Sequence, residues 1–261
     1  MTPILLLGAG RMGGALIAGW RRAGAFSPDQ IMIRDPAPGP EALASGALID
    51  PDPAAIGRAK TVLLMVKPQI WREAAAEVAH HLAADAIVVS IAAGVASGEI
   101  RAAFGGRRVA RVMPTTAAAI GQGTASIFAA DPEARARAHA LFSLVGTVVD
   151  LDDEDLMHAA TAVSGSAPAY LYAFVEALEA AGVTLGLGPE AARDLARATI
   201  AGAAALMAES GVDPAELRRQ VTSPGGTTEA ALKLLLGEGG LGSLLRAAAV
   251  AAEQRSRELG R

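Results

Sequence analysis

The residues best suited to chemistry are Thr222-Ser223-Pro224-Gly225-Gly226-Thr227-Thr228. Hydroxyls and two adjacent glycines stand together there with no charged side chain among them. Adjacent glycines take backbone angles closed to other residues and let a ligand approach the main chain closely. Thr227 and Thr228 fall where a helix N-cap is expected, ahead of a helix predicted from about Glu229 to Leu236. Exposed N–H groups at a helix start hold a small anion, such as a carboxylate or phosphate. Ser223, Gly225, Gly226, Thr227 and Thr228 are therefore the candidate substrate-binding residues. The plain alternative is an inter-helix turn with a threonine cap.

A second constellation lies at the other end of the chain. Ile4-Leu5-Leu6-Leu7 is an unbroken apolar run, as expected of a strand buried on both faces of a parallel sheet. Gly8-Ala9-Gly10-Arg11-Met12-Gly13 comes at once after it, and a helical pattern runs from Met12 to about Ala23. In this fingerprint the first glycine makes a tight turn, the second admits a pyrophosphate and the third lets helix and strand pack closely. All six residues are predicted to bind a dinucleotide. The second strand, Gln30 to Ile33, ends in Arg34-Asp35. An acid there favours the free 2′-hydroxyl of NAD, and an Arg favours the 2′-phosphate of NADP. Both are present, and Asp35 could instead pair with Arg34 or cap the loop. The next strand, Thr61 to Val66, runs into Lys67-Pro68-Gln69, and the strand Ala86 to Ile91 into Ala92-Ala93-Gly94. Such loops lie over the cofactor in a doubly wound sheet. Met65, Val66, Lys67, Pro68, Ile91, Ala92 and Ala93 join Arg34 as predicted cofactor contacts.

Strands alternating with helices continue to residue 151. They include Arg108 to Met113, Gly123 to Phe128 as an antiparallel edge strand, a helix from Pro132 to about Leu144, and a last strand at Thr147 to Leu151. This predicts an α/β domain, a Rossmann-type doubly wound sheet over residues 1–151. From Asp152 only helical patterns remain, so residues 152–261 are expected to form an all-α domain. Pro168 suits the first turn of a helix, with Ser164 and Ser166 as capping candidates. Further helices are predicted over Glu190 to Glu209, over Pro214 to Gln220 behind an Asp213 cap, and over Leu241 to Leu259.

Composition narrows the classes. The chain has 261 residues, 52% of them hydrophobic but only 3% aromatic, so its core must be built from Ala, Leu and Val. A net charge of -4 argues against nucleic acid or an anionic membrane as partner. There are no cysteines, and the four histidines lack a ligand spacing, so no metal site is expected. No signal peptide and no apolar stretch long enough to span a membrane is visible, so the expectation is a cytoplasmic protein. The helical half is rich in Ala and apolar throughout, which predicts packing against a second copy of itself.

No carboxylate pair, Ser–His pair or obvious catalytic Lys is legible in the second half. A pocket of backbone N–H groups and hydroxyls suits a small carboxylated substrate whose reacting carbon needs no strong protein acid. A cyclic imine fits, because its nitrogen can arrive protonated, leaving proximity and orientation to the protein.

With these motifs in these positions, the chain resembles the Δ1-pyrroline-5-carboxylate reductases over nearly its whole length. The resemblance is carried by Gly8 to Gly13, Val66-Lys67-Pro68-Gln69, Ser90-Ile91-Ala92-Ala93-Gly94-Val95, Arg111-Val112-Met113-Pro114, Ala162-Val163-Ser164-Gly165-Ser166 and Thr222 to Thr228. It implies NAD(P)H-dependent reduction of pyrroline-5-carboxylate to proline. It also implies a Rossmann domain and a dimer interleaved through a helical second domain, often assembled into a larger ring. By that resemblance Ser223, Gly226, Thr227 and Thr228 hold the carboxylate, with Thr228 also near the ring nitrogen. Thr228 and Ser223 are thus the residues assigned to catalysis, with Ala92, Ala93, Met113 and Pro114 on the nicotinamide side. NADPH is the expected cofactor, through Arg34, with NADH as a second.

Three departures from the family pattern stand out: Thr115 in place of an Asn, Ala167 in place of a Gly, and Asp52-Pro53 where an Asn is common. An acid at 52 near the adenosine end would disfavour a 2′-phosphate. Two other readings compete. A 3-hydroxyacid dehydrogenase needs an inter-domain Lys, and residues 151 to 232 contain none. The intact Thr222 to Thr228 loop argues against a cofactor-binding regulator without turnover, while Thr115 keeps that reading open.

Overall fold

The computed structural model describes residues 1–260. Its strands are β1 (Ile4–Leu7), β2 (Ile31–Arg34), β3 (Leu48–Ile49), β4 (Thr61–Leu64), β5 (Ile87–Ser90), β6 (Arg108–Pro114), β7 (Gly123–Phe128) and β8 (Gly146–Asp150). They form one sheet in the order β3-β2-β1-β4-β5-β6-β7-β8. All neighbours are parallel except β6 and β7. The order reverses between β1 and β4, the switch point where doubly wound sheets bind ligands. The apolar run at the N-terminus explains its own burial. Ile4 and Leu6 enter the core on one face of the sheet, Leu5 and Leu7 the core on the other. Two expectations need correction. β7 is antiparallel but not an edge, because β8 pairs along it from Gly123↔Gly146 to Ile127↔Asp150. The two-residue β3 is not foreseen by the sequence pattern, being too short to show a period.

Helix α1 (Arg11–Arg22) fills the β1–β2 crossover, and its Trp20 indole N–H donates to the Leu141 carbonyl at 2.9 Å. The single-turn helices α2 (Pro40–Leu43) and α3 (Pro53–Ile56) flank β3. α4 (Trp71–Val78), α5 (Ser97–Ala103) and α6 (Pro132–Phe142) complete the layers. Then come α7 (Leu156–Ala160) and a π-helical turn, Thr161–Gly165. The remaining helices are α8 (Ala167–Thr184), α9 (Pro189–Ser210), α10 (Pro214–Gln220), α11 (Thr227–Leu235) and α12 (Leu241–Leu259). Neither serine proposed as a cap for α8 serves as one. Ser166 holds the N-cap position without a side-chain bond, and the Ser164 hydroxyl donates back to Ala160 O at 2.8 Å. A hydroxyl in a helical turn finds that carbonyl more readily than the next turn's N–H.

The chain forms two compact units, Met1–Gly165 together with the segment from Ala251, and Ser166–Val250. In the first, the end of α12 is pinned by polar contacts. Arg257 makes a two-pronged pair with Asp155 at 2.5 and 2.7 Å, and Ser256 Oγ lies 2.9 Å from His158 Nδ1. In the second, α8 and α9 approach closely at small residues. A Cβ on Gly182 would stand 3.0 Å from the Ala192 Cβ, and Arg197 pairs with Glu179 at 2.7 Å. α8, α10 and α11 contain no buried residue, and α9 buries only Ala192 and Ala196.

One ion pair ties the sheet to the segment after β8. Arg111 on β6 is 4% exposed and meets Glu154 at 2.8 Å; Glu154 also accepts from the Ser97 N–H and hydroxyl at 2.6 and 2.7 Å. Burial alone would push the Glu154 carboxyl up, but the Ser97 bonds and the Arg111 guanidinium together hold it below its usual value. Its contribution to stability is therefore present above the ordinary carboxyl value near 4.5 and is lost as pH falls through the lower folded value. We expect Glu154→Ala to cost about 1.5–3 kcal/mol at pH 7 by urea unfolding. The gap to the parent should shrink as the pH is lowered below 4.5. A gap that does not change with pH would remove the ionised carboxylate from this role.

Candidate active site

The C-terminal ends of β1, β2 and β4 open onto a cleft of about 950 Å³ lined by Leu7, Gly8, Gly10, Arg34, Asp50, Met65 and Lys67 among others. Backbone ladders align these ends: Leu7 pairs with both Arg34 and Leu64, and Gly8 N–H donates to Arg34 O at 3.0 Å. Gly8 has φ +93°, and a Cβ there would stand 3.0 Å from the Met65 carbonyl carbon and oxygen. Only glycine makes that turn. Gly10 is the opposite case, with nothing within 4 Å of where a Cβ would stand. The space above the loop is open where a pyrophosphate must approach, and α1 starts there with no side-chain cap on its first N–H groups. These features fit a dinucleotide.

Of the remaining predicted cofactor residues, several line the cleft or the hollow beside it, while Pro68, Ile91, Ala92 and Ala93 line neither. Val66, like Met65 and Lys67, lines the cleft. Ala9 and Arg11 line a smaller hollow beside α1, of about 460 Å³, with Gly10. Met12 packs against the core, and Gly13 is buried. Pro68 comes after Lys67 in the turn that leads to α4. Ile91, Ala92 and Ala93 lie just past β5, with Ala92 buried and its N–H donating to Ser90 Oγ at 3.2 Å. Asp35 does not pair with Arg34. Its two oxygens accept from Ala9 N–H at 2.5 Å and Ala37 N–H at 2.8 Å, which joins the glycine loop to the segment after β2. Arg34 contacts Asp50, and its Nε lies 3.4 Å from Glu77. Asp52, read as a possible adenosine-side acid, caps α3 by accepting from Ala55 N–H at 2.7 Å. Asp50, two residues earlier, is an acid that lines the cleft, along with Asp35, Glu73 and Glu77. Sequence reasoning misses it, although an acid just before Pro51 is a visible signal.

The Thr222–Thr228 loop belongs to the second unit. Ser223 to Gly226 is a tight turn in which Gly226 N–H donates to Ser223 O at 3.0 Å. Pro224 at its second position and Gly225, with φ +70°, at its third are the signature of a type II turn. Gly226 is the N-cap of α11, so the helix starts at Thr227 and the expected threonine cap is absent. The threonines are displaced inward because Gly226 already has the extended backbone that a cap needs. Thr227 and Thr228 occupy the first two helical positions, where N–H groups have no intrahelical acceptor. Gly225 N–H is taken by the Glu229 carboxylate at 2.7 Å. Among the described residues, the hydroxyls of Ser223, Thr227 and Thr228 make no hydrogen bond. A short row of free donors at a positive helix end remains, as a single carboxylate requires.

Folding also brings together a Ser–His pair that the sequence hides, because Ser256 and His158 are distant in the chain. Ser256 is 2% exposed and lines none of the cavities described above. Burial first, then the Arg257 charge, pushes His158 down. The pair anchors α12 and offers no nucleophile to a substrate. No cluster of metal-ligating side chains occurs among the described residues, and no helix among them is long and apolar enough to cross a membrane.

Comparisons with known proteins converge on one family. Residues 154–259 match the family model for pyrroline-5-carboxylate reductase dimerisation, and residues 3–94 the model for NADP oxidoreductase coenzyme F420-dependent. The chain is 40% identical to a pyrroline-5-carboxylate reductase of Pseudomonas aeruginosa, covering 99% of this chain and 97% of that protein. It superposes on a pyrroline-5-carboxylate reductase of Coxiella burnetii with TM-score 0.89 at 31% identity, over 100% of this chain and 99% of the other. A Plasmodium falciparum pyrroline carboxylate reductase with NADP bound has the same fold, with TM-score 0.87 at 24% identity and coverage of 100% and 98%.

The open space above Gly10 gives a direct test of the cleft. Gly10→Ala adds a methyl that meets no protein atom, so stability should change by less than about 1 kcal/mol. The methyl does meet a bound pyrophosphate, so calorimetric titration should show cofactor affinity falling by about tenfold or more. Unchanged affinity would place the pyrophosphate elsewhere.

Proposed function

The chain belongs to the pyrroline-5-carboxylate reductase family, and we propose from that premise how its residues carry the reaction. It is an oxidoreductase that reduces the cyclic imine 1-pyrroline-5-carboxylate to L-proline with NADP(H), the final step of proline biosynthesis. The observation that carries the residue assignment is the set of unpaired donors at the start of α11. The N–H groups of Thr227 and Thr228 and the hydroxyls of Ser223, Thr227 and Thr228 receive the substrate carboxylate. Gly225 and Gly226 shape the turn that presents them. The Thr228 hydroxyl also orients the ring nitrogen. The titratable side chain that reaches the loop is Glu229, held on the Gly225 N–H, and no catalytic acid is needed, because the imine nitrogen arrives protonated. Gly8 to Gly13, Arg34, Met65 to Pro68 and Ile91 to Ala93 would hold the cofactor, which when bound would supply the hydride that the imine carbon takes up.

Removing one donor to a charged acceptor costs roughly 1.5–3 kcal/mol. Thr228→Ala should therefore lower kcat/KM by about ten- to a hundredfold. If Thr228 orients the ring nitrogen, kcat falls as well as KM rising, since orientation matters most in the transition state. The cofactor Kd and the melting temperature should hold. A variant that melts early but turns over normally would return Thr228 to a purely structural role.

Residues 154–259 match the family model for pyrroline-5-carboxylate reductase dimerisation. We assign the chain a homodimer through the C-terminal helices, open to assembly into a larger ring, in the cytoplasm. The support is the apolar surface of α8, α9, α11 and α12, on which Leu171, Tyr172, Phe174, Leu195, Leu206 and Leu234 are exposed. Light scattering at micromolar concentration should give at least twice the chain mass of 26.3 kDa. A stable monomer would overturn the assignment.

A further inference from the structure

We propose that Asp50 and Glu77 are specificity-determining residues that set how strongly the cleft distinguishes NADPH from NADH. The inference rests on the cofactor reading above and deepens it. Arg34 stands at the end of β2, where the adenine ribose of a dinucleotide lies in this fold. A free guanidinium there would hold a 2′-phosphate with paired N–H donors. Here it is not free. Asp50 contacts one terminal nitrogen, and Glu77 reaches Nε from α4. Both acids line the same cleft, as do Asp35 and Glu73, against the two cations Arg34 and Lys67. Asp35 is committed to the Ala9 and Ala37 N–H groups, so the acids facing Arg34 are Asp50 and Glu77.

The placement of Asp50 is built in. It is the only non-glycine residue with positive φ among those described, at +53°, and its N–H donates to Ile33 O at 2.8 Å. That bond continues the β2–β3 ladder one residue past β3 and sets Asp50 beside Arg34. Left-handed backbone is disfavoured for residues with a Cβ, and Asp is among the few that tolerate it.

The pairs themselves are weak, because all three side chains are substantially exposed. Arg34 can therefore still turn to a phosphate. What the acids do is place two negative charges within a Debye length of a dianion, while the plain ribose of NADH feels them little. The discrimination is electrostatic, and salt should weaken it.

The test measures binding without imine substrate. Calorimetric titration would give Kd for NADPH, NADH, adenosine 2′,5′-bisphosphate and AMP with the full-length protein and with Asp50→Asn/Glu77→Gln. NADPH and the bisphosphate should bind about three- to thirtyfold more tightly to the variant, with NADH and AMP within about twofold. Adding Arg34→Ala should weaken NADPH and the bisphosphate yet leave most of the gain from the neutralised acids, which act on the phosphate through the field, and raising the salt from about 0.05 M to about 0.5 M should shrink that gain. Asn tolerates left-handed backbone as well as Asp, so the fold should hold; should the double variant fail to fold, Glu77→Gln alone carries a smaller gain in the same direction. A NADPH-to-NADH ratio that stays within about twofold, or both cofactors shifting together, would overturn the proposal. Failure to reduce pyrroline-5-carboxylate would leave these ratios standing, so the two readings fail separately.

Discussion

A hydrogen fits between Gly8 and the Met65 backbone, and a methyl group does not. That close approach closes the β1–α1 turn against the end of β4, at the point where the sheet changes direction. It depends on β1 and β4 being in register, Leu7 opposite Leu64, and on Met65 N–H donating to Leu7 O at 2.8 Å. Apolar burial on both faces holds the register, because Ile4, Leu6, Leu63 and their neighbours fill one core and Leu5, Leu7 and Leu64 the other. A slip of one residue would exchange the two faces of either strand. So the binding cleft inherits its geometry from the packing of residues that no ligand touches.

The two proposed anion sites use different physics. At the start of α11 the donors are neutral: backbone N–H groups and hydroxyls, ordered by a turn that Pro224 and Gly225 dictate. Neutral donors aimed at one point select for shape at little desolvation cost, and they leave the ionisation of a bound iminium undisturbed. Around Arg34 the groups are charged and exposed, so they act through the field more than through any one contact. Such a site can be retuned by changing carboxylates at its rim without disturbing the turn at Gly8. Under these two proposals, separating a fixed polar cradle from an adjustable charged rim would let cofactor choice drift while substrate binding stayed the same.

How much is legible in the sequence depends on the range of the interactions involved. The glycine fingerprint, the buried strands and the Asp213-Pro214 helix start are local, and they read directly. The extended backbone of Gly226 is local too, yet two threonines beside a helix invite reading as caps and hide it. Long-range partners are not legible. Arg111 with Glu154, His158 with Ser256, and Arg34 with Asp50 are each set by sheet order or helix docking. Asp35 and Asp52 look alike in sequence, and the fold sends one to bridge the glycine loop and the other to cap α3.

The helical unit shows where a chain can carry a site without carrying its own core. Between Ser166 and Val250 the packing within the unit is made at Gly182, Ala192 and Ala196, residues with little surface to bury. The large side chains point outward, with Leu234 80% and Leu185 85% exposed. Burial contributes about 25 cal/mol per Å² of apolar surface removed from water. A unit that leaves its largest apolar groups in solvent forgoes most of that term, and ordering its backbone costs about 1–2 kcal/mol per residue. Alanine-lined contacts alone do not offset this. The residues that complete the core of such a unit must come from outside it, in keeping with the match of residues 154–259 to a dimerisation model. If the Thr222–Thr228 loop holds the substrate and a second copy completes that core, substrate binding and assembly are linked equilibria: whatever stabilises the loop favours the associated state, and dilution below the dissociation constant weakens both together.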